Sequence, residues 1–339
     1  MKSTLTKCIS TVLIVLNLSG CTTNNNLADN SNTNTDTIAG SCSNVVIHNG
    51  YAYAACNSQL QIANLSDGTK NSLEINSDDI AIDSSNNTLF IQSKNTIQAL
   101  ELTNPNNPVV VASTSTNFGL FSGIDAANGI VIVSAGTSGS NTQVYRYTNN
   151  SFSLSQNGIP VVDNVTGNPD VHVAVTENGV SAFYSQDLGA VANWGIQIIN
   201  LNNNGNITST PPVITLTPQR FSGSFNTISP ANFPVESEFF NNKLYVAHFA
   251  VNGIEIIDLN NNNSITTVNL GYQPINITTD GVSMLTVGTT SKTISILDPI
   301  TNNINTVTAN NINQARGIAA TLSHIAIADR ESGLIIIER

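Results

Sequence analysis

Gly253-Ile254-Glu255-Ile256-Ile257-Asp258-Leu259 is the stretch that decides the fold, because the chain returns to a similar run six more times. The counterparts are Leu60 to Leu65, Thr96 to Leu102, Gln143 to Tyr147, Trp194 to Leu201, Lys292 to Pro299 and Gly333 to Arg339. The spacing is roughly 40 residues, which suits a propeller blade or a helical repeat. The runs themselves arbitrate. They are short, rich in Ile, Val, Tyr and Thr, and bounded by Asn-Gly, Asp-Gly or Ser/Thr/Asn clusters, as strands are. Runs such as Ile254 to Ile257 and Leu334 to Ile337 are nearly continuous in apolar character, as expected of sheets covered on both faces. Blades stacked radially cover each other in that way.

Each unit reads as four antiparallel strands with the innermost first. The pattern is plainest at Pro274 to Thr279, an Asp280-Gly281 turn, Ser283 to Gly288, Thr293 to Leu297 and Asn305 to Ala309. The seventh unit reaches only its third strand at Arg339, while Thr35 to Ala39 precedes the first unit as a spare strand. The expectation is an all-β, seven-bladed β-propeller whose ring is closed by that N-terminal strand, removing two open sheet edges.

Charged residues make up 10% of the chain and hydrophobic residues 40%, so solubility rests on Asn, Ser and Thr. A formal net charge of -11 and the lack of any Lys/Arg run argue against nucleic acid or anionic lipid surfaces as partners. One compact propeller over residues 35–339 is expected, and as a monomer.

The amino-terminal segment is read separately. Lys2 and Lys7 precede an apolar stretch from Ile9 to Leu16, too short to span a bilayer, and Leu18-Ser19-Gly20-Cys21 follows. This order resembles a bacterial lipoprotein signal peptide over residues 1–20. The resemblance implies cleavage before Cys21, diacylglycerol on its thiol and a fatty acyl group such as palmitate on the new amino group. Thr22 at the next position implies the outer membrane of the cell envelope. Residues 21–34 are a polar, lipidated tether that cannot bury a core, so contact with the membrane is through the anchor alone.

Cys42 and Cys56 are the other mature cysteines. They flank the first hairpin, whose Asn49-Gly50 turn places Ser43 opposite Cys56 and Cys42 one step out of register. A bulge or a longer turn would bring them together, and an exported chain meets an oxidising compartment, so a disulfide is expected.

The third-strand motifs, with Gly195-Ile196-Gln197-Ile198-Ile199-Asn200-Leu201 and the second-strand motifs Tyr51-Ala52-Tyr53-Ala54 and Leu244-Tyr245-Val246-Ala247, resemble those of the LVIVD-repeat family of bacterial β-propellers. Units two and three depart from them, with Gln98-Ala99-Leu100 and Val144-Tyr145-Arg146 in place of the aliphatic run. These motifs pack strands; the resemblance implies a fold and no particular chemistry. Asp258, Asp298 and Asn200 close their third strands, where such side chains bond nearby turn N–H groups.

Chemistry is sought where the inner strands begin. Alignment of the units puts Asn44, Asp79, Gly123, His172, Glu236, Asn276 and Gly317 around one channel mouth, with Asp78 and Arg316 one residue earlier. Three connections leave the chain on that face and are long: Asn157 to Asn168, Pro218 to Phe233 and Ser185 to Asn193. Candidate contacts there are Asp187, Trp194, Arg220 and Phe221. No nucleophile elbow, zincin helix, phosphate loop or Cys/His cluster is present in the sequence, and no cofactor or metal is expected. Two readings follow. One is a non-enzymatic binding protein or scaffold for an envelope protein or glycan. The other is a metal-dependent hydrolase or lactonase using Asp79, His172 and Glu236.

Overall fold

The computed structural model describes residues 35–116, 123–134, 142–157, 171–177, 179–187, 194–210, 212, 214–216, 236–248 and 252–339. They form seven antiparallel sheets with no helix among them. The inner strands are Asn44–His48, Asp79–Asp83, Gly123–Ala127, Val171–Thr176, Glu236–Phe240, Pro274–Thr279 and Ala315–Ala320. They touch one another in sequence order, and the last touches the first. The seven-bladed propeller expected from the repeat is the observed fold.

Each interface between neighbouring blades carries its own apolar cluster. Blade edges therefore differ in content while sharing one plan. Between blades 2 and 3, Tyr145 and Tyr147 pack with Phe90 and Phe152, with Phe90 edge-on to Tyr147 at 5.1 Å between ring centres. Aromatic area takes over there from the aliphatic residues that unit three lacks. Blade 4 has a divided outer strand, Ile207–Ser209 and Ile214–Thr215, both paired to Trp194–Leu201. Pro211 and Pro212 fall between the two pieces, and proline has no N–H with which to continue a ladder.

The ring closes as the sequence implies. Thr35–Ile38 pairs antiparallel with Gly333–Glu338, from Thr35 opposite Ile337 to Ile38 opposite Leu334. Gly333 adopts φ +91°, and a Cβ there would lie 2.0 Å from the Ile38 carbonyl oxygen. The glycine that opens this third strand thus makes room for the closing strand. Gln61 Nε2 donates to the Ala39 carbonyl at 2.8 Å, and Lys70 forms an ion pair with Asp36.

Cys42 and Cys56 are joined by a disulfide and buried. Asn44 opposes Ala55, yet the Ser43 N–H also bonds the Ala55 carbonyl, at 2.8 Å. Two residues on one strand therefore face one on the other, and this bulge corrects the one-step offset of Cys42. The Cys42 N–H bonds the Asp329 carbonyl of blade 7 at 3.1 Å, which puts the staple on the seam.

Asparagine has a second role besides solubility. Every non-glycine residue with positive φ among those described is Asn, apart from Lys94. Asn49-Gly50, Asn128-Gly129 and Asn241-Asn242 have both central residues left-handed, the geometry of tight hairpins that matches strand twist. Asp258 and Asp298 accept turn N–H groups as expected, from Asn260 and from Ile300 and Thr301. Asn200 differs: it bonds across strands, to Ser181 and Ser209. In blade 4, Ser185 to Asp187 continue the strand Gly179–Asp187, pairing as far as Asp187 opposite Trp194. The long connection expected from Ser185 therefore starts after Asp187, because backbone pairing continues whatever the polarity of the side chains.

Candidate functional site

Inner strands line a cavity of about 480 Å³ on the ring axis. Asn44, Asp79, Gly123, His172, Glu236, Asn276 and Arg316 all border it, so the aligned positions of separate units, Gly317 apart, face one cavity. Arg316 reaches it through a bulge: Ala315 opposes Asp329 and Gly317 opposes Ala328, leaving Arg316 as the extra residue. Burial, and then the nearby Arg330, lower the Arg316 guanidinium from its ordinary value. Gly317 itself lies against blade 1, where an added Cβ would sit 2.7 Å from Asn44 Oδ1 and 3.0 Å from the Asn44 backbone.

The polar side chains here join blade to blade. Asn44 Nδ2 donates to Asp79 Oδ1 at 2.8 Å, and the Ile124 N–H of blade 3 donates to Asp79 Oδ2 at 3.2 Å. Asp125 Oδ2 accepts the Val173 N–H of blade 4 at 2.7 Å and lies 3.0 Å from His172 Nδ1. His172 Nε2 accepts the Phe239 N–H of blade 5 at 3.1 Å. Since Nε2 uses its lone pair in that bond, the imidazole proton sits on Nδ1 and is donated to Asp125. Glu238 Oε1 is 3.9 Å from Nε2. Burial pushes the Glu238 carboxyl up to about 7, with His172 opposing the shift and Asp125 adding to it.

His172 is thus brought to Asp125 and Glu238, two residues the alignment passed over. Both sit two positions along their strands from the rim residues Gly123 and Glu236, hence on the same face one level deeper. The period-two pattern Glu236-Ser237-Glu238 was the signal available. The proposed set Asp79, His172 and Glu236 spans blades 2, 4 and 5. Among the described residues no three His, Cys, Asp or Glu side chains converge as metal ligands. Asp187 and Trp194 face each other in the ladder at the end of their hairpin. Arg220, Phe221 and Cys21 lie outside the described residues.

No family model matches the chain, and no curated protein matches it. The resemblance of the strand motifs to LVIVD repeats is therefore not matched by a family model. Similarity is found among solved structures. A catalytically inactive variant of virginiamycin B lyase from Staphylococcus aureus, with quinupristin, aligns over 91% of this chain and 100% of its own, at TM-score 0.62 and 15% identity. The WD40 β-propeller domain of Doa1 aligns over 91% and 96%, at TM-score 0.58 and 12% identity. The computationally designed Ika8 protein aligns over 90% and 98%, at TM-score 0.56 and 7% identity. A lyase, a WD40 domain and a designed protein share the fold, and at these identities the fold alone is what the likeness shows.

Proposed function

We propose that this chain is a lipid-anchored β-propeller of the bacterial cell envelope that binds a protein or glycan and performs no chemistry of its own. The observation that carries this reading is the use made of the rim side chains. Asp79 and His172 are engaged by backbone N–H groups of the next blade, so their polarity is spent on holding the ring together. The anchor rests on the order of basic start, apolar stretch and Leu18-Ser19-Gly20-Cys21; the surface for a partner rests on the three connections on the mouth face and on Asp187, Trp194, Arg220 and Phe221.

The test has two parts. Labelled fatty acid should enter the wild type and not Cys21→Ala. Purified protein should hold no stoichiometric divalent metal and should not hydrolyse ester or lactone substrates. Bound metal together with hydrolysis that disappears in Glu236→Ala would replace this reading with the hydrolase one.

A further inference from the structure

The two ends of every strand open on opposite faces of the ring, and the register at the seam shows which face the amino-terminal tether joins. In blade 7 the inner strand begins at the mouth, where Ala315 opposes Asp329 and Asp329 opposes Gly333. The third strand therefore runs away from the mouth and reaches Glu338 opposite His324. Thr35 pairs with Ile337 at that far end. The closing strand is thus entered from the face opposite the mouth. Residues 21–34, 14 in number, reach at most about 50 Å when fully extended. To turn the mouth toward an anchoring bilayer, they would have to run back along the whole depth of blade 7.

The turns on that far face are not alike. The inner hairpins of blades 1, 3 and 5 turn on Asn49-Gly50, Asn128-Gly129 and Asn241-Asn242. At the equivalent turns blades 6 and 7 carry Val282 and Leu322, and Ile300 stands in the turn between the third and fourth strands of blade 6. These side chains are 59%, 67% and 88% exposed. The turns of blade 6 do not require them, because Asp280 accepts the N–H groups of Val282 and Ser283, and Asp298 those of Ile300 and Thr301. Arg339 ties the two inner turns together: its Nη1 donates to Asp280 Oδ2 and to the Thr321 carbonyl, and its N–H to the Ser323 carbonyl. Apolar side chains scattered singly over a surface need no explanation. These three share one face and two neighbouring blades, one of which receives the tether.

We propose that Val282, Ile300 and Leu322 enter the headgroup region of a zwitterionic phospholipid bilayer, so that the ring lies with blades 6 and 7 toward the membrane and its mouth away from it. This inference rests on the anchoring at Cys21 proposed above. Three side chains alone would hold a protein on lipid only briefly; the anchor supplies the local concentration at which shallow insertion persists. Contact with the membrane then extends beyond the anchor expected from the sequence, and the long connections on the mouth face are left open to a partner. A zwitterionic surface fits better than an anionic one, which a chain of net charge -11 is repelled by.

Reconstitution of the full acylated chain into phosphatidylcholine vesicles tests the proposal, with a polarity-sensitive dye on the lone thiol of Leu322→Cys. The control is Thr290→Cys, an exposed position between the second and third strands of blade 6, on the mouth face. Flotation with the vesicles reports the anchor, and quenching of the dye by aqueous iodide reports the face. Expected are flotation of both proteins and quenching at least about threefold weaker at position 322 than at position 290, with no further protection when phosphatidylglycerol is added. Adding Val282→Asn and Ile300→Asn should restore quenching at position 322 with flotation and melting unchanged, since Asn already serves the equivalent turns of other blades. Flotation with equal quenching at the two positions would overturn the face assignment and leave the anchor standing. So would protection that requires phosphatidylglycerol, or protection that appears only at a high ratio of protein to lipid, the sign of a second copy on this surface. Absence of flotation would remove the anchor reading and this inference with it.

Discussion

Two interfaces of the same ring, between blades 7 and 1 and between blades 4 and 5, solve different problems. At the first, blade 7 is completed by a strand from the other end of the chain, Thr35–Ile38, and the contact is rich in small residues. Ala52, Ala54, Ala63, Ala319, Ala326 and Ala328 pack there with the Cys42–Cys56 disulfide, and Gly317 admits the Asn44 backbone. At the second, the chain is continuous and the interface is built of larger groups. Phe183 stacks on Phe239 at 5.5 Å, and His172 of blade 4 lies 3.9 Å from Glu238 of blade 5 while bonding Asp125 of blade 3 on its other side. Where closure must be secured, the repeat is filled with close backbone approach, a covalent staple and a borrowed strand. Where no closure is required, inner positions carry charge.

The largest effect expected of breaking this contrast comes from the borrowed strand. Removing residues 22–40 should cost about 4–5 kcal/mol by losing the ladder to Gly333–Glu338 and the packing of Ile38, whereas removing 22–32 should leave melting nearly unchanged. Equal melting of the two truncations would show that the seam does not depend on the strand. Replacing Cys42 and Cys56 together with Ala should cost about 3 kcal/mol, the loop-closure value for a link of this span. Non-reducing peptide mapping of exported protein should recover the pair linked, and recovery of both as alkylatable thiols would remove the staple from the account.

The charged interface should respond in the opposite direction. Glu238 has a folded-state value of about 7, raised above its ordinary 4.5, so between those values the folded chain holds more protons than the unfolded one. Its contribution is full below the ordinary value and is lost as pH rises through about 7. Glu238→Gln should therefore gain stability relative to wild type as pH rises from about 5 to about 8, by on the order of 2–3 kcal/mol. Denaturant titration at several pH values measures it; a constant difference across that range would mean Glu238 does not titrate as the geometry implies.

The contrast also explains what could be read from sequence. Strand order, blade number and closure were legible because the Gly-Ile-x-Ile-Ile run recurs and because Thr35 to Ala39 and Arg339 leave complementary gaps. Register was legible at the Asn49-Gly50 turn, where the offset of Cys42 called for a bulge or a longer turn, and the bulge at Ser43 and Asn44 is what the fold uses. The rim residues followed from alignment, since equivalent positions in a repeat reach equivalent places on the ring. The grouping of His172 with Asp125 and Glu238 did not follow, because three blades contribute one residue each and two of them lie a level deeper.

Capture of an envelope partner tests the functional half of the contrast most directly. Intact envelopes carrying wild type, Arg220→Ala with Trp194→Ala, or His172→Ala with Glu236→Ala would be crosslinked, and the captured partner quantified beside the melting temperature of each purified protein. The account predicts that the Arg220/Trp194 variant loses about tenfold or more of the capture while melting as wild type does, and that the His172/Glu236 variant loses stability more than capture. Undiminished capture by the Arg220/Trp194 variant, with capture abolished in the His172/Glu236 variant at unchanged stability, would contradict it.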